Sequence, residues 1–216
     1  MLHPDLVADL IEQLGDILFQ DEHLLIVHKP AGLLAVPGRG ENKQDCLSAR
    51  LQRVFPDALV VHRLDMATSG LMVFARGEAM QRELSRMFRE RMVSKRYIAL
   101  VAGQIENEAD EIDLPIAIDW PNRPKSKIDT ETGKPSLTRY RLLNLEGGSS
   151  RLELEPVTGR THQLRLHLTA IGHPILGDAL YGDASSAPRL LLHACALGFK
   201  HPASGEALRI EHAPPF

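Results

Sequence analysis

Residues 62–70 read HRLDMATSG, which sets His62, Arg63 and Asp65 within four positions of one another, directly ahead of the apolar run LMVFA. A carboxylate in a turn-like segment before a buried strand is partly removed from water, and that is costly unless a cation or several hydrogen-bond donors compensate. Asp65 therefore needs a partner. Arg63 is near in sequence but, two residues away in an extended segment, shares a side with Asp65 only loosely. Arg165, in the first turn of a helix expected after Thr161, can converge from elsewhere in the fold. An aspartate that caps a turn or makes a structural ion pair explains the segment equally well. A second candidate is GRTHQLR (159–165), where Gly159 frees the backbone, a helix N-terminus offers amide donors, and Arg160 and Arg165 add charge for a phosphate. His162, His167 and His173 raise the question of a metal, but the i+5 spacing of the first two puts them on different helical faces, so ordinary histidines are the better reading. The chain contains no phosphate-binding P-loop, no G-x-G-x-x-G after a strand, no G-x-S-x-G elbow and no H-E-x-x-H. Cofactor-free chemistry, or none, is what these patterns leave.

The elements that must position these residues follow from composition and periodicity. With 216 residues, 44% hydrophobic and 25% charged, the chain has globular composition. Its apolar runs fall far short of the roughly 20 residues a membrane helix requires, and the acidic N-terminus lacks the pattern of a signal peptide, so a cytoplasmic protein without a membrane partner is expected. Cys46 and Cys195 have neither the number nor the spacing for a disulfide framework or a zinc site. The formal net charge is −3, but six of the 28 acidic side chains lie in residues 1–22, where there is no Lys or Arg. Over residues 23–216 the 25 basic side chains outnumber the acidic ones by three. The basic residues also cluster. One group comprises Arg82, Arg86, Arg89, Arg91, Lys95 and Arg96, and another Arg123, Lys125, Lys127 and Lys134; each is either a solvated face or the footprint of a nucleic acid.

Leu6, Leu10 and Leu14 after Pro4 predict an amphipathic helix within residues 1–15. Two short strands are expected around Asp21 and Glu22, then a helix over 45–55 with Leu47, Leu51 and Val54 inward. LMVFA (71–75) reads as a buried strand, and the following segment as a helix with Met80, Leu84, Met87 and Phe88 inward and arginines outward. KRYIALVAG is a strand, and TRYRLLNL and SSRLELEPV form a hairpin about Gly147 and Gly148. Thr161 is the expected N-cap of a helix with Leu164, Leu168 and Ile171 buried and Gly172 just past its end. A last strand pair, LLLHACALGFKHP and EALRIEH, turns around 203–205. Together these predict a single α+β domain built on a largely antiparallel mixed sheet with flanking helices.

HRLDMATSG also resembles the catalytic motif of the RNA pseudouridine synthases named for ribosomal large-subunit synthase A. KPAGLLAVPG (29–38), KRYIALVAG (95–103), GRTHQLRLHLTAIGHPILGD (159–178) and RLLLHA (189–194) follow the family's order, and the resemblance spans nearly all of residues 17–214. It implies the pseudouridine synthase fold with a central catalytic cleft, a catalytic domain over 16–216, no S4-type module, and no cofactor or metal. It implies Asp65 as the catalytic aspartate, Arg165 as its partner and Tyr97 as the residue that stacks on the target base. Arg63 would enter the RNA helix as the uridine swings out. The expected partner is structured RNA, a 23S rRNA hairpin and a tRNA anticodon arm, contacted by His62, Arg63, Arg82, Arg86, Arg89, Lys95, Arg96, Arg123, Lys125 and Arg160, with the protein a monomer. A non-catalytic RNA-binding or ribosome-assembly protein, or a family synthase with another target, is the alternative.

Overall fold

The computed structural model describes residues 16–216, so the helix expected within residues 1–15 lies outside the described residues. In chain order the first elements are β1 (Ile17–Gln20), β2 (Leu24–Lys29), α1 (Leu47–Val54), β3 (Ala58–Val60), β4 (Ser69–Arg76) and α2 (Glu78–Arg89). There follow β5 (Ser94–Ala102), β6 (Ala109–Asp113), β7 (Ile116–Ile118), β8 (Ser126–Ile128), β9 (Leu137–Glu146) and β10 (Ser149–Pro156). The last are α3 (Gln163–Ala170), β11 (Leu192–Lys200) and β12 (Ala207–Glu211). The chain divides into two compact units, the described part of Met1–Ser94 with Ala194–Ala213, and Lys95–His193 with Pro214–Phe216. Because the first unit is completed by a segment from far along the chain, no linker composition marks the division.

In the first unit β2 runs antiparallel to both β1 and β4, and β3 and β12 pair antiparallel with β4 and β11. Asp21 makes the β1–β2 turn: its Oδ1 accepts from the backbone N–H groups of His23 and Leu24, both at 2.8 Å. β2 and β4 are buried along nearly their whole length, which is why LMVFA is apolar without alternation. The core joins Leu24, Ile26, Val73, Leu84, Met87 and Phe199, with Met80 and Phe88 of α2 packed at its edge, as the helical spacing predicts. α1 buries Leu47 and Leu51 and stops before Pro56, and the Cys46 Sγ caps it by accepting from the Ala49 N–H at 3.4 Å.

In the second unit the strand order is β5-β10-β9-β6, antiparallel between β5, β10, β9 and β6, with β7 and β8 a separate antiparallel pair. Gly147 (φ 55°) and Gly148 (φ 86°) turn β9 into β10 with both central residues left-handed, the geometry that matches the twist of a two-residue hairpin. β10 alternates: Ser150, Leu152, Leu154 and Pro156 are buried, and Arg151, Glu153 and Glu155 face the other side. The sequence reading of α3 needs two corrections. His162, not Thr161, is the N-cap and sits in the left-handed region (φ 57°), and Thr161 is exposed. The helix is also not amphipathic, since Gln163 through Leu168 are all buried, polar residues included, so each polar side chain is held by a partner instead of water. Gly172 (φ 86°) does end it, with the His173 N–H donating to the Leu168 carbonyl at 2.9 Å and the Gly172 N–H to that of Thr169 at 3.0 Å.

β4 begins two residues before LMVFA, at Ser69 and Gly70. Gly70 has φ 121°, and a Cβ there would lie 2.4 Å from both the backbone N and O of Ala194 in β11. Gly70→Ala is expected to destabilise the protein by about 2–5 kcal/mol, from overpacking against backbone together with an unfavourable φ. Urea unfolding followed by circular dichroism measures it, and a midpoint equal to wild type would refute the close approach.

Candidate active site

Asp65 lies in the loop between β3 and β4, half-buried, between the exposed Arg63 and the exposed Met66, with Leu64 tucked into the core. Two anchors in the first unit fix this loop. Before Asp65, His62 stacks on Phe88 of α2 with ring centres 4.2 Å apart, and its Nε2 accepts from the Val73 N–H of β4 at 2.9 Å. After Asp65, the Met66 carbonyl accepts from the Gly32 N–H at 2.8 Å and from the Lys29 Nζ at 3.0 Å. Lys29 is fully buried at the end of β2, and its Nζ also donates to the carbonyls of Pro30 and Leu33, each at 2.8 Å. Three carbonyl acceptors require three N–H donors, so the group is an ammonium. The KPAGL segment thus staples the backbone next to Asp65, and the Thr68 N–H closes a turn onto the Asp65 carbonyl at 3.1 Å.

In the second unit Arg165 of α3 forms a buried bidentate pair with Asp178: Nε donates to Oδ2 at 2.8 Å and Nη2 to Oδ1 at 2.7 Å. Asp178 Oδ1 also accepts from the Leu180 and Tyr181 N–H groups, at 2.8 and 3.1 Å. Burial works to raise the pKa of this carboxyl, but the Arg165 hydrogen bonds and charge and the two backbone donors outweigh it and hold it below the usual carboxylate range. The pairing uses the Nε edge of the guanidinium. Tyr181 lies against the same guanidinium, 5.3 Å from ring centre to Cζ, while its hydroxyl accepts from the Ser126 N–H at 2.7 Å and hydrogen-bonds His162 Nδ1 at 2.8 Å. Burial pushes the Tyr181 hydroxyl up, so it stays neutral. The Arg165 aspartate partner read from sequence was Asp65; two of its nitrogens go to Asp178, the last residue of the GRTHQLRLHLTAIGHPILGD motif.

Tyr97, Lys95 and Arg96 sit on β5, with Tyr97 half-buried and paired in register with Leu154 of β10. Arg96 is ion-paired to Glu155 at 2.9 Å. On α2, Arg86 binds Glu83 at 2.6 Å and also Glu90, and Arg82 reaches Glu78 at 3.4 Å, while Arg89 is exposed. The clustered arginines of α2 are therefore largely charge-compensated along their own helix; such exposed pairs are weak and screened, so a phosphate can displace them at little cost. Arg160 donates through Nε and Nη2 to the Pro135 carbonyl at 3.3 Å, and Arg123 lies over the Trp120 ring at 3.8 Å. The three histidines of the motif have separate structural partners. His162 bonds Tyr181, His173 Nδ1 the Ala102 carbonyl at 2.9 Å, and His167 both Thr138 and the Leu114 carbonyl at 2.9 Å. Burial lowers the His167 pKa and keeps it neutral.

A loop that pins one carboxylate, and a helix that presents a braced arginine, carry the motifs in which a family profile described as RNA pseudouridylate synthase matches residues 23–170. The chain belongs to this family. It is 49% identical over 204 residues to the dual-specificity RNA pseudouridine synthase RluA of Escherichia coli K12, covering 93% of each protein, and 47% identical over 202 residues to that of Haemophilus influenzae, covering 92% of each. Its fold is that of solved pseudouridylate synthases. Human RNA pseudouridylate synthase domain containing 1 superposes with a TM-score of 0.77 at 32% identity over 94% of this chain and 85% of that one. Human RNA pseudouridylate synthase domain containing 4 superposes with a TM-score of 0.78 at 27% identity over 98% and 92%.

Removing the Asp178 charge takes the bidentate carboxylate from the buried Arg165 guanidinium, and breaking a buried pair in this way typically costs about 3–5 kcal/mol. Asp178→Asn is expected to show that loss near neutral pH. Because the folded-state pKa of Asp178 is depressed, its contribution is present above the unfolded carboxylate value and is lost as pH falls through the folded value. The difference between variant and wild type should therefore shrink in strong acid, and a pH-independent difference in urea midpoints would show that the charge is not what matters.

Proposed function

We propose that this protein isomerises specific uridines to pseudouridine in structured RNA, acting on both an rRNA hairpin and a tRNA anticodon arm. Asp65 carries the proposal: a single half-buried carboxylate in a loop pinned on both sides, within the segment that matches the family. The membership and the dual-specificity names of the relatives support it. Breaking the N1–C1′ bond, turning the uracil and joining C5 to C1′ adds and removes no atom overall, so one carboxylate suffices. Asp65 acts either as a nucleophile at C1′ or C6, or as the base that takes the C2′ proton to give a glycal. Glycoside hydrolysis would instead require a second carboxylate and an activated water. In this reading Arg165, seated on Asp178, is a catalytic residue alongside Asp65, and Tyr97 stacks on the target base. Arg63, exposed beside Asp65, fills the gap left by the extruded uridine. Arg82, Arg86, Arg89, Lys95, Arg96, Arg123, Lys125 and Arg160 contact the RNA backbone. His62 serves by holding the loop.

We also propose that it works as a cytoplasmic monomer. Among the described residues no helix is long and apolar enough to cross a membrane, and Cys46 and Cys195 are not joined in a disulfide, in keeping with a reducing compartment.

Asp65→Asn keeps the shape of the side chain and removes its charge. Tritium release from RNA labelled at uridine C5 should fall by roughly 1,000-fold or more, with RNA affinity little changed. Substantial turnover by this variant would rule out Asp65 as the catalytic group. Arg63→Ala should be about 100-fold slower on a hairpin whose target is stacked and partly rescued when the target lies in a loosened loop, since extrusion costs a few kcal/mol only from a stack. Equal slowing on both RNAs in single-turnover assays would place Arg63 in chemistry or folding.

A further inference from the structure

The β7–β8 hairpin and the segment before α3 line a groove of about 680 Å3, within the second unit, that none of the residues assigned above explains in full. Its wall carries Trp120, the sole tryptophan of the chain, which is 65% exposed. Exposure of that much indole is costly in water, and a large aromatic left open in a groove marks a binding surface. The ring is also prepared for contact. Arg123 lies over the ring at 3.8 Å, and Trp120 stays 65% exposed with that guanidinium in place. The loop that holds it is closed by its own backbone: the Asp119 N–H donates to the Lys125 carbonyl at 3.0 Å, the Lys125 N–H to that of Asn122 at 3.0 Å, and Asn122 Nδ2 to the Asp119 carboxylate at 2.9 Å. The loop end of the hairpin is tied down by the bond from the Ser126 N–H to the Tyr181 hydroxyl at 2.7 Å.

Around this ring the groove is basic. Lys127, Lys134 and Arg160 line it, and Arg123 and Lys125 sit on the loop above. Two carboxylates oppose them, Asp119 in the loop and Asp129, which binds Lys127 at 2.9 Å and accepts from the backbone of Glu131 and Thr132. Asp129 orients Lys127 but leaves an excess of cations. A flat aromatic face backed by a guanidinium and flanked by cations on a shallow wall suits a stacked base with a phosphate on either side.

We propose that Trp120, braced by Arg123, is a stacking platform for an unpaired nucleobase of the substrate RNA other than the target uridine, with the adjoining phosphates against Lys127, Lys134 and Arg160. This rests on the reading of the chain as an RNA pseudouridine synthase and extends it to how the enzyme chooses its RNA. A stem with a loop offers a base to this platform, whereas a fully paired duplex does not.

Because Trp120 is the only tryptophan, indole emission of the intact protein reports this site alone. Stem-loop RNA is titrated into the wild-type protein while binding is followed independently by filter retention. Bound RNA should quench the emission, and abasic substitution of individual loop nucleotides should abolish the quench at one or two loop positions. Trp120→Ala should raise the RNA concentration for half-maximal single-turnover rate about 10-fold with the limiting rate unchanged, as expected for loss of one base–aromatic stack. Trp120→Phe should recover most of it, and its far-ultraviolet circular dichroism controls for folding. RNA that binds without quenching, or a quench insensitive to every loop base, would overturn the platform and leave the groove to another partner such as a protein. The proposed activity is tested separately by turnover of the wild-type enzyme, so a protein that is quenched by RNA yet never releases tritium would defeat the functional reading and not this one.

Discussion

The second unit is organised by one buried ion pair. Two charges removed from water are tolerated only when geometry and additional hydrogen bonds compensate, and Asp178 meets both conditions, with the Arg165 fork on one side and two backbone donors on the other. The consequence spreads along a chain of contacts. Tyr181, whose N–H binds Asp178, lays its ring against Arg165 and spends its hydroxyl on Ser126 of β8 and on His162 at the start of α3. One carboxylate thereby fixes the orientation of the guanidinium, the entry of the helix that carries it and the loop end of the β7–β8 hairpin. The left-handed backbone at His162 is held in the same way, by a hydrogen bond that only this entry geometry lets its ring make.

The first unit solves a similar problem with a cation. Lys29 ends a strand whose other residues are aliphatic and buried, and its ammonium is satisfied by carbonyls from two segments of chain. An apolar side chain there would leave those carbonyls without donors, whereas the lysine turns them into a joint between the KPAGL turn and the loop bearing Asp65. Preorganisation of this kind matters for a carboxylate that must meet a substrate atom in one orientation, because a loose loop would forfeit much of the advantage of placement.

Much of this was legible in the sequence where local physics decides. The β9–β10 hairpin followed from two adjacent glycines, the α2 core face from its spacing, and the Gly172 helix end from the need for a left-handed residue. The family was legible because separate motifs fell in order. What could not be read depends on which distant groups meet. Asp178 lies 13 residues from Arg165, a separation with no periodic meaning, and α3 looked half-exposed because its polar residues find partners that spacing alone does not reveal, as when Gln163 bonds Thr158 after β10 and Leu137 and Thr138 on β9. Lys29 stands beside a proline in KPAGL, and nothing in its neighbours along the chain announces that three carbonyls converge on it. The α2 arginines read from sequence as either a solvated face or a nucleic-acid footprint, and only the folded helix shows Arg86 held between Glu83 and Glu90.

The return of Ala194–Ala213 into the first unit has a further bearing, on the order in which the molecule matures. Leu197 and Phe199 belong to the same core as Leu24 and Val73, so a chain emerging from the ribosome holds that core open until the segment from Ala194 onward has been made. During synthesis the loop carrying Asp65 has its local anchors but not the β11 backbone against which Gly70 must pack. The residues from Lys95 to His193, by contrast, are contiguous and can close first. A nascent copy of this protein therefore carries an unfinished scaffold for its carboxylate, and vectorial folding itself delays competence until Ala194–Ala213 has emerged.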